Sequence, residues 1–180
     1  MATKSKSKGL LVFCPSRFCH KGVVEIQISE LKAAGVECVL LDLDNTLTTW
    51  QGMDVTEEVR NWLIELKASG IKLCLVSNTR HGKRLVSLSE ELEIPYVKRA
   101  FKPRKKGFED AMKELGADPS KTVMVGDQMF TDILGGNRVG VYTIMVKPMH
   151  RREFFGTKIT RTAEHVLMAW FRRRGHVPPK

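Results

Sequence analysis

The sequence lacks any long hydrophobic run and has few cysteines. No uninterrupted apolar stretch of the 180-residue chain approaches the roughly 20 residues that cross a bilayer. The apolar run at 10–14 is also shorter than the core of a signal peptide, which takes about 7 to 15 residues. Two of the four cysteines, Cys38 and Cys74, lie inside apolar runs, where a free thiol behaves as a small hydrophobic group. We therefore expect a soluble, cytoplasmic protein.

An excess of charge is likewise absent from most of the chain. The formal net charge is +10, but residues 1–8 contribute three of these charges and residues 147–180 contribute seven. Residues 9–146 are neutral overall, which argues against a nucleic-acid-binding surface along the whole chain. We expect residues 1–8 to be a disordered basic tail and residues 9–180 to form one domain.

Five apolar runs alternate with segments of helical periodicity. This alternation is typical of a parallel sheet with helices on both faces. The sequence therefore predicts a single α/β, Rossmann-like domain with a five-stranded parallel sheet and a catalytic core at residues 36–146. The predicted strands are 38–43, 72–76, 96–98, 122–125 and 142–146.

Two carboxylates follow one another at the end of the first apolar run. Asp42 and Asp44 point to the same side if extended geometry persists that far, because side chains alternate along a strand. Such a pair can combine a metal-held carboxylate nucleophile with a general acid. Taken alone, it is as typical of an Asp-Asn turn.

The later strands end in groups suited to a phosphate and a cation. Ser77 and Asn78 follow the second predicted strand, Lys102 follows the third, and Asp127 and Asp132 follow the fourth. Ligands of open parallel sheets bind beyond the carboxyl ends of the strands. Carboxylate oxygens suit Mg²⁺, and lysine and hydroxyl donors stabilise charge on a transferring phosphoryl group. The pattern favours Mg²⁺-dependent phosphoryl chemistry.

This ordered set resembles the four motifs of the haloacid dehalogenase (HAD) superfamily of phosphatases, over residues 36–146. The resemblance implies a HAD-like fold and a phosphomonoester hydrolase that acts on a phosphorylated substrate. The motifs are Asp42-Leu43-Asp44-Asn45-Thr46, Ser77, Lys102, and Gly126-Asp127 with Thr131-Asp132.

The resemblance also implies catalytic roles. Asp42 attacks phosphorus and forms a phospho-aspartate. Asp44 protonates the leaving oxygen and then activates the hydrolytic water. Ser77 and Lys102 hold the phosphoryl oxygens, and Lys102 offsets the charge of Asp42.

The same resemblance implies the binding residues. Thr46 and Asn78 join Ser77 and Lys102 as contacts to the substrate. The predicted Mg²⁺ ligands are the carboxylates of Asp42 and Asp127, the backbone carbonyl of Asp44, and Asp132 either as a ligand or as a partner of one.

The motif spacing argues against a cap domain. Caps of this superfamily are inserted after the first motif or between the second and third, and the chain leaves room there only for a flap at 48–54 and one helix. The site should be open. At finer grain the chain resembles the YqeG-like group of the capless IIIA branch, which is related to phosphatidylglycerophosphate phosphatases. The residues that carry this resemblance are Leu43-Asp44-Asn45-Thr46-Leu47, Gly126-Asp127-Gln128, the segment 131–138 and Arg174-Gly175-His176.

Two basic segments bear on the substrate. Residues 98–106 carry six basic residues and no acid, which is typical of a solvated loop or of a positive rim that attracts a polyanion or an anionic membrane. An apolar stripe then precedes three arginines in a predicted helix at 159–173. Such a stripe packs on its own domain or lies on an anionic bilayer, as peripheral contact at the inner membrane face would require. The stripe consists of Ile159, Ala163, Val166, Leu167 and Trp170.

Two other functions remain open at this stage. A nucleotide or nucleic-acid-end phosphatase would suit the basic rim, but aromatic residues for base stacking are scarce near it. A non-catalytic RNA-binding or ribonucleoprotein-binding protein would use the basic ends.

Overall fold

The computed structural model describes residues 9–50, 52–79, 82–97, 99–150 and 155–176, without the side chains of 155–161. The predicted tail at 1–8, Lys98 of the basic segment and Ile159 of the stripe lie outside these limits. Six strands form one fully parallel sheet. They are β1 Arg17–Cys19, β2 Cys38–Leu41, β3 Lys72–Val76, β4 Tyr96–Val97, β5 Thr122–Gly126 and β6 Tyr142–Val146.

In the described residues, five α-helices and a π-helical turn at Met129–Ile133 connect these strands, and a sixth α-helix follows β6. Thr56 begins α2, because its side chain accepts a hydrogen bond from the N–H of Val59. Gly116 ends α4 in the left-handed conformation, with φ 58°. The helices are α1 Ile28–Ala33, α2 Glu57–Ala68, α3 Gly82–Leu92, α4 Lys105–Leu115, α5 Leu134–Val139 and α6 Phe155–Arg173.

The strand order is β1-β6-β5-β2-β3-β4. From β2 the chain first adds β3 and β4 on one side and then returns to add β5 and β6 on the other. The strand order therefore reverses between β2 and β5, and a crevice opens there beyond the carboxyl ends of the strands. We call this side of the sheet the carboxyl edge.

Helices cover both faces of the sheet, as predicted. Leu41 belongs to a buried cluster with Trp62 and Leu66 of α2, whereas Leu40 packs in a separate cluster with Phe108 of α4. Consecutive residues of β2 thus face opposite layers, and all four residues of this strand are buried. The single α/β domain is confirmed.

The sheet has one strand more than the five predicted. β1 was missed because it consists of only three residues, includes the charged Arg17 and follows Pro15, so that it gives no apolar run. The first predicted strand is also shorter than expected, because β2 ends at Leu41 rather than at residue 43. Between β2 and α2 and between β3 and β4, the described chain has room for a loop and one helix, so no cap domain is inserted.

α6 covers the range predicted as the C-terminal helix and packs on its own domain, with Leu167 and Trp170 of the predicted stripe partly buried there. Met168 and Phe171 pack against Met129 and Cys14, whereas Val166 is 65% exposed. The predicted stripe is therefore only partly the buried face, which also includes a charged residue, Glu164, one helical turn before Met168. In the described part of the chain, no helix has the length and apolarity to span a membrane.

Candidate active site

The loop after β2 brings the first predicted carboxylate into the crevice. The N–H of Asp42 donates to the neighbouring strand β5, so pairing continues one residue past the end of β2. The chain then turns sharply, because the N–H groups of residues 46–48 all donate to the carbonyl of Leu43, and Asn45 adopts φ 62°. Asp42 and Asp44 therefore do not share one environment, as they would in a continuous strand.

Asp42, Lys102, Asp127 and Asp132 form a buried group that we call the inner cluster. The ammonium nitrogen of Lys102 lies 2.5 Å from Oδ1 of Asp42 and 2.7 Å from Oδ1 of Asp132. All four residues are at most 6% exposed. Thr46 completes the surroundings of Asp42, since its hydroxyl donates to Oδ2 at 3.3 Å.

Two loops hold Lys102 in place. The side-chain amide of Asn78 donates to the carbonyl of Lys102 at 2.9 Å and accepts from its N–H at 2.7 Å. The carbonyl of Ser77 accepts from the N–H of Ala100, and the hydroxyl of Ser77 accepts from the N–H of Thr79. The buried Ser77 thus lies beside the lysine loop, while Asn78, predicted to contact the substrate, positions Lys102.

The turn after β5 aims Asp132 at the cluster. A Cβ atom at Gly126 would lie 2.3 Å from Oδ2 of Asp132, so only glycine allows this approach. Asp132 also accepts from the N–H of Gln128 at 3.1 Å, which fixes its carboxylate from the other side. The glycine of the Gly126-Asp127 motif is thus required for a steric reason.

Three carboxylates of the inner cluster have the arrangement of a metal site. Asp42, Asp127 and Asp132 each offer one oxygen, and these oxygens lie within 4.8 Å of one another. Three buried carboxylates with one ammonium group leave an excess of negative charge. Hard divalent cations prefer such oxygen ligands, so the donor set fits one. The side chain of Asp44, predicted to contribute its backbone carbonyl, is not part of this set.

Burial is the largest single influence on the pKa of Asp42 and on that of Lys102. It raises the pKa of Asp42 to about 7, although Lys102 opposes the rise. Burial lowers the pKa of Lys102, but the carboxylates of Asp132 and Asp42 together outweigh this effect. The pKa of this lysine therefore lies above its ordinary value. Lys102 is therefore a fixed positive charge at neutral pH.

Asp44 lies outside the inner cluster, against a loop at 48–55 that we call the flap. Arg84 at the start of α3 donates to Oδ1 of Asp44 at 2.8 Å, to the hydroxyl of Thr48 at 2.6 Å and to the carbonyl of Gly52 at 2.7 Å. Thr48 also bridges to Val55 and so closes the base of the flap. Arg84 thus ties the predicted general acid to the flap.

Sequence reasoning missed two buried charged residues. Arg84 is 8% exposed and precedes Leu88 by four residues, so its place on the buried face of α3 was readable from the periodicity. Glu164 of α6 accepts from the N–H of Met129 at 2.8 Å, at the start of the turn that carries Asp132. Glu164 likewise precedes the buried Met168 by four residues, but its hydrogen-bond partner is 35 residues away and could not be read from the sequence.

Apart from the buried Lys102, the described basic residues of the segment 98–106 form an exposed rim next to the site. Arg99, Arg104, Lys105 and Lys106 are all exposed. At the C-terminus, Arg172 lies over the ring of Phe18 and Arg174 over that of Trp170, at 5.8 and 5.4 Å. Two of the three predicted membrane-facing arginines therefore contact aromatic rings of the same chain.

Comparisons with known proteins agree with this geometry. A family model described as haloacid dehalogenase-like hydrolase matches residues 22–140. The Bacillus subtilis (strain 168) protein named "Probable phosphatase YqeG" is 36% identical over 165 residues, which cover 92% of this chain and 95% of that protein. A Chlamydomonas reinhardtii protein named "Phosphatidylglycerophosphate phosphatase 1, chloroplastic" is 32% identical, and the match covers 83% of this chain and 59% of that protein.

A solved structure supports the fold alone. An uncharacterized protein from Listeria monocytogenes serotype 4b superposes with a TM-score of 0.52 and 18% identity, over 74% of this chain and 99% of that one. The fold, the order of the site residues along it and the sequence relatives all lead to one assignment. The chain belongs to the haloacid dehalogenase-like hydrolase family, as one of its phosphatases.

Proposed function

We propose that the chain is a Mg²⁺-dependent phosphomonoesterase that acts through a phospho-aspartate on Asp42, with phosphatidylglycerophosphate as its substrate. The observation that carries the proposal is the inner cluster, in which the Asp42 carboxylate at the point of strand reversal contacts a buried lysine and lies close to two further carboxylates. A lysine and a metal-binding carboxylate set around a single aspartate suit the transfer of a charged phosphoryl group.

In the first step, an oxygen of the Asp42 carboxylate attacks phosphorus and the bond to the ester oxygen breaks. Lys102 holds a phosphoryl oxygen and compensates negative charge, and Ser77 is the adjacent hydroxyl that can donate to another. Asp44, at the boundary between the site and the flap, gives its proton to the departing ester oxygen. The alcohol leaves, and the phosphoryl group stays on Asp42.

In the second step, the carboxylate of Asp44 accepts a proton from a water molecule that attacks phosphorus. The bond between phosphorus and the Asp42 oxygen breaks, which releases inorganic phosphate and restores both carboxyl groups. Asp44 thus acts as an acid in the first step and as a base in the second, because the proton that it gives to the ester oxygen is replaced by one from water.

Mg²⁺ is the proposed cation for the site. Asp42, Asp127 and Asp132 would hold it, together with the backbone carbonyl of Asp44 that the family resemblance implies. When bound, the ion would lower the cost of bringing an anionic phosphate next to carboxylates. It would also favour the ionised form of Asp42, which burial alone disfavours.

Two observations support a lipid phosphate as substrate. One is the sequence relative from Chlamydomonas whose name states this activity. The other is the uncapped, open carboxyl edge with its exposed basic rim, which a headgroup at an anionic membrane surface can approach. Peripheral contact with the membrane through the rim and the C-terminal arginines belongs to the same proposal.

The nucleophile is tested with purified wild type and Asp42→Asn on a generic aryl phosphate. We expect wild type to require Mg²⁺ and to lose activity in chelator, and Asp42→Asn to fall at least about 10³-fold, because the amide cannot attack phosphorus effectively. Retention of hydrolysis by Asp42→Asn would overturn the assignment of Asp42.

The substrate is tested on anionic vesicles that contain phosphatidylglycerophosphate, by measuring released phosphate. Release by wild type above Asp42→Asn is the expected result. Turnover of soluble esters or of nucleotides without turnover of the lipid would reject the lipid substrate. Salt-dependent RNA binding without any phosphatase activity would reject the enzyme proposal as a whole.

A further inference from the structure

A cavity adjoins the inner cluster on its β4 side. It has a volume of about 610 Å³, and its lining includes Lys102, so the cavity lies next to the inner cluster. Its lining residues come from the loops after β3 and β4. They are Asn78, Thr79, Arg99, Phe101, Lys102, Pro103 and Arg104.

The cavity is built to receive a second negative charge. Arg99 and Arg104 form no ion pair with any residue in the described ranges. Helix α4 begins directly after Arg104, with no acidic residue in its first turn, so the positive end of its dipole adds to the charge of both guanidinium groups. Lys102 differs from them, because two carboxylates already neutralise it.

An apolar side chain stands at the mouth of the same cavity. Phe101 is 58% exposed, and the guanidinium carbon of Arg104 lies 5.9 Å from the centre of its ring. Both Arg99 and Phe101 adopt positive φ, 53° and 49°, which residues with a Cβ rarely do. Alternate positions of the loop thus present two large side chains to solvent, while Ala100 between them is buried.

We propose that this cavity is a subsite for a second, non-scissile phosphodiester of the substrate, bound by Arg99 and Arg104 while the terminal phosphomonoester reacts at Asp42. The inference rests on the proposed function and extends it. It assigns the substrate to compounds in which a short linker joins a phosphomonoester to a phosphodiester. A guanidinium group recognises such an anion through paired hydrogen bonds.

Binding of a diester alone tests the subsite without catalysis. The probe is glycerophosphoglycerol, which has the diester but no monoester, and the measurement is isothermal titration calorimetry. We expect the double variant Arg99→Gln/Arg104→Gln to weaken binding by about 10- to 100-fold, because it removes two positive charges and their hydrogen bonds to the diester while glutamine keeps a weaker neutral donor. Unchanged affinity in this variant would overturn the proposal.

Lys106→Gln is the matched control. Lys106 is exposed in the same segment, but it pairs with Asp110 and does not line the cavity. A double control, Lys105→Gln/Lys106→Gln, changes the net charge as much as the double arginine variant. A loss of diester affinity as large in this control would assign the effect to the general field of the rim and overturn the subsite.

Hydrolysis of two soluble substrates is the second test of the subsite. Glycerophosphoglycerophosphate has both phosphates, whereas glycerol 3-phosphate lacks the diester. We expect the double arginine variant to lower kcat/KM about 10- to 100-fold for the first compound and less than about twofold for the second. An equal loss for both would overturn the subsite. If wild type hydrolyses neither compound, the proposed function fails, while calorimetry still decides whether the subsite exists.

The variant Phe101→Asn tests whether the diester belongs to a lipid or to a water-soluble compound. Asparagine is the replacement because it tolerates the positive φ of this position. Its kcat/KM is compared on short-chain phosphatidylglycerophosphate and on the deacylated compound. A loss confined to the acylated substrate supports the subsite as one for a lipid headgroup. Equal rates for wild type and variant on both substrates, with the arginine dependence retained, support a subsite for water-soluble diesters.

Discussion

The inner cluster and the flap side of the site differ in how they hold their aspartates. In the inner cluster, Asp42 is almost completely buried and lies between Lys102 and Thr46. On the flap side, the Asp44 side chain is 21% exposed and binds Arg84, which also donates to the flap. Two residues of the flap, Trp50 and Met53, are 37% and 47% exposed. One carboxylate is thus fixed inside the protein, and the other lies at the boundary with solvent.

This difference corresponds to the two proposed tasks. A nucleophile and its counter-charges gain from a rigid, water-excluded position, because preorganised charges need no rearrangement during reaction. A group that exchanges protons with an alcohol and with water needs access to both. The comparison predicts that variants of the inner cluster harm both stability and chemistry, whereas variants on the flap side harm mainly chemistry.

The largest effect is expected from Lys102→Met. Without the ammonium group, Asp42 and Asp132 lose their common partner, and buried carboxylates repel one another. Breaking a buried ion pair costs about 3 to 5 kcal/mol, so the free energy of unfolding of the metal-free protein should fall by that amount. kcat/KM should fall at least about 10³-fold, because the charge that offsets the phosphoryl group is gone.

Urea unfolding in chelator and hydrolysis of an aryl phosphate measure these two effects. Lys106→Met is the control, since it removes an exposed lysine from the same segment. If Lys102→Met unfolds at the same urea concentration as wild type, the ion pairs of the inner cluster do not stabilise the fold.

The sequence predicted the parts of this site that depend on strand order. Asp42, Ser77, Lys102 and Asp127 each follow a strand, and parallel strands bring their carboxyl ends to one edge, so their convergence needed no knowledge of packing. The family motif located Asp132 as well. What it could not predict was orientation: the turn at Asn45 separates the two aspartates of the first motif, and this depends on hydrogen bonds around one carbonyl.

The contacts that were missed depend on partners far away along the chain. Arg84 reaches Asp44 across 40 residues, and Glu164 reaches Met129 across 35. The residues around Glu164 do not reveal its partner, because the N–H of Met129 belongs to another element of the chain. The edge strand β1 was missed for a related reason, since its pairing with β6 rather than its composition makes it a strand.

An intermediate effect is expected from Arg84→Met. The variant removes the hydrogen bonds that orient Asp44 and attach it to the flap. We expect kcat to fall about 10- to 100-fold, which is less than the roughly 10²- to 10⁴-fold contribution of a general acid–base, because Asp44 itself remains. KM for a small aryl phosphate should change little, because Arg84 is not part of the inner cluster. Steady-state kinetics separate the two parameters.

Lys83→Met provides the comparison for Arg84→Met, because Lys83 is the exposed neighbour on the same helix. Partial recovery of kcat in Arg84→Lys, which keeps the charge but not all the hydrogen bonds, would support a positioning role. An increase in KM with unchanged kcat would instead place Arg84 in substrate binding and contradict this role.

The smallest effect is expected from Glu164→Gln. Glu164 is buried, but it belongs neither to the inner cluster nor to the flap side. Glu164 holds the N–H of Met129 at the start of the turn that presents Asp132, and a glutamine oxygen can accept the same hydrogen bond. Replacing the charged acceptor by a neutral one should lower the free energy of unfolding by about 1 kcal/mol and change kcat/KM less than about twofold. Urea unfolding and aryl phosphate hydrolysis of the same preparations measure both quantities. A large loss of activity at unchanged stability would show that α6 controls the orientation of Asp132, and the inner cluster would then extend to the C-terminal helix.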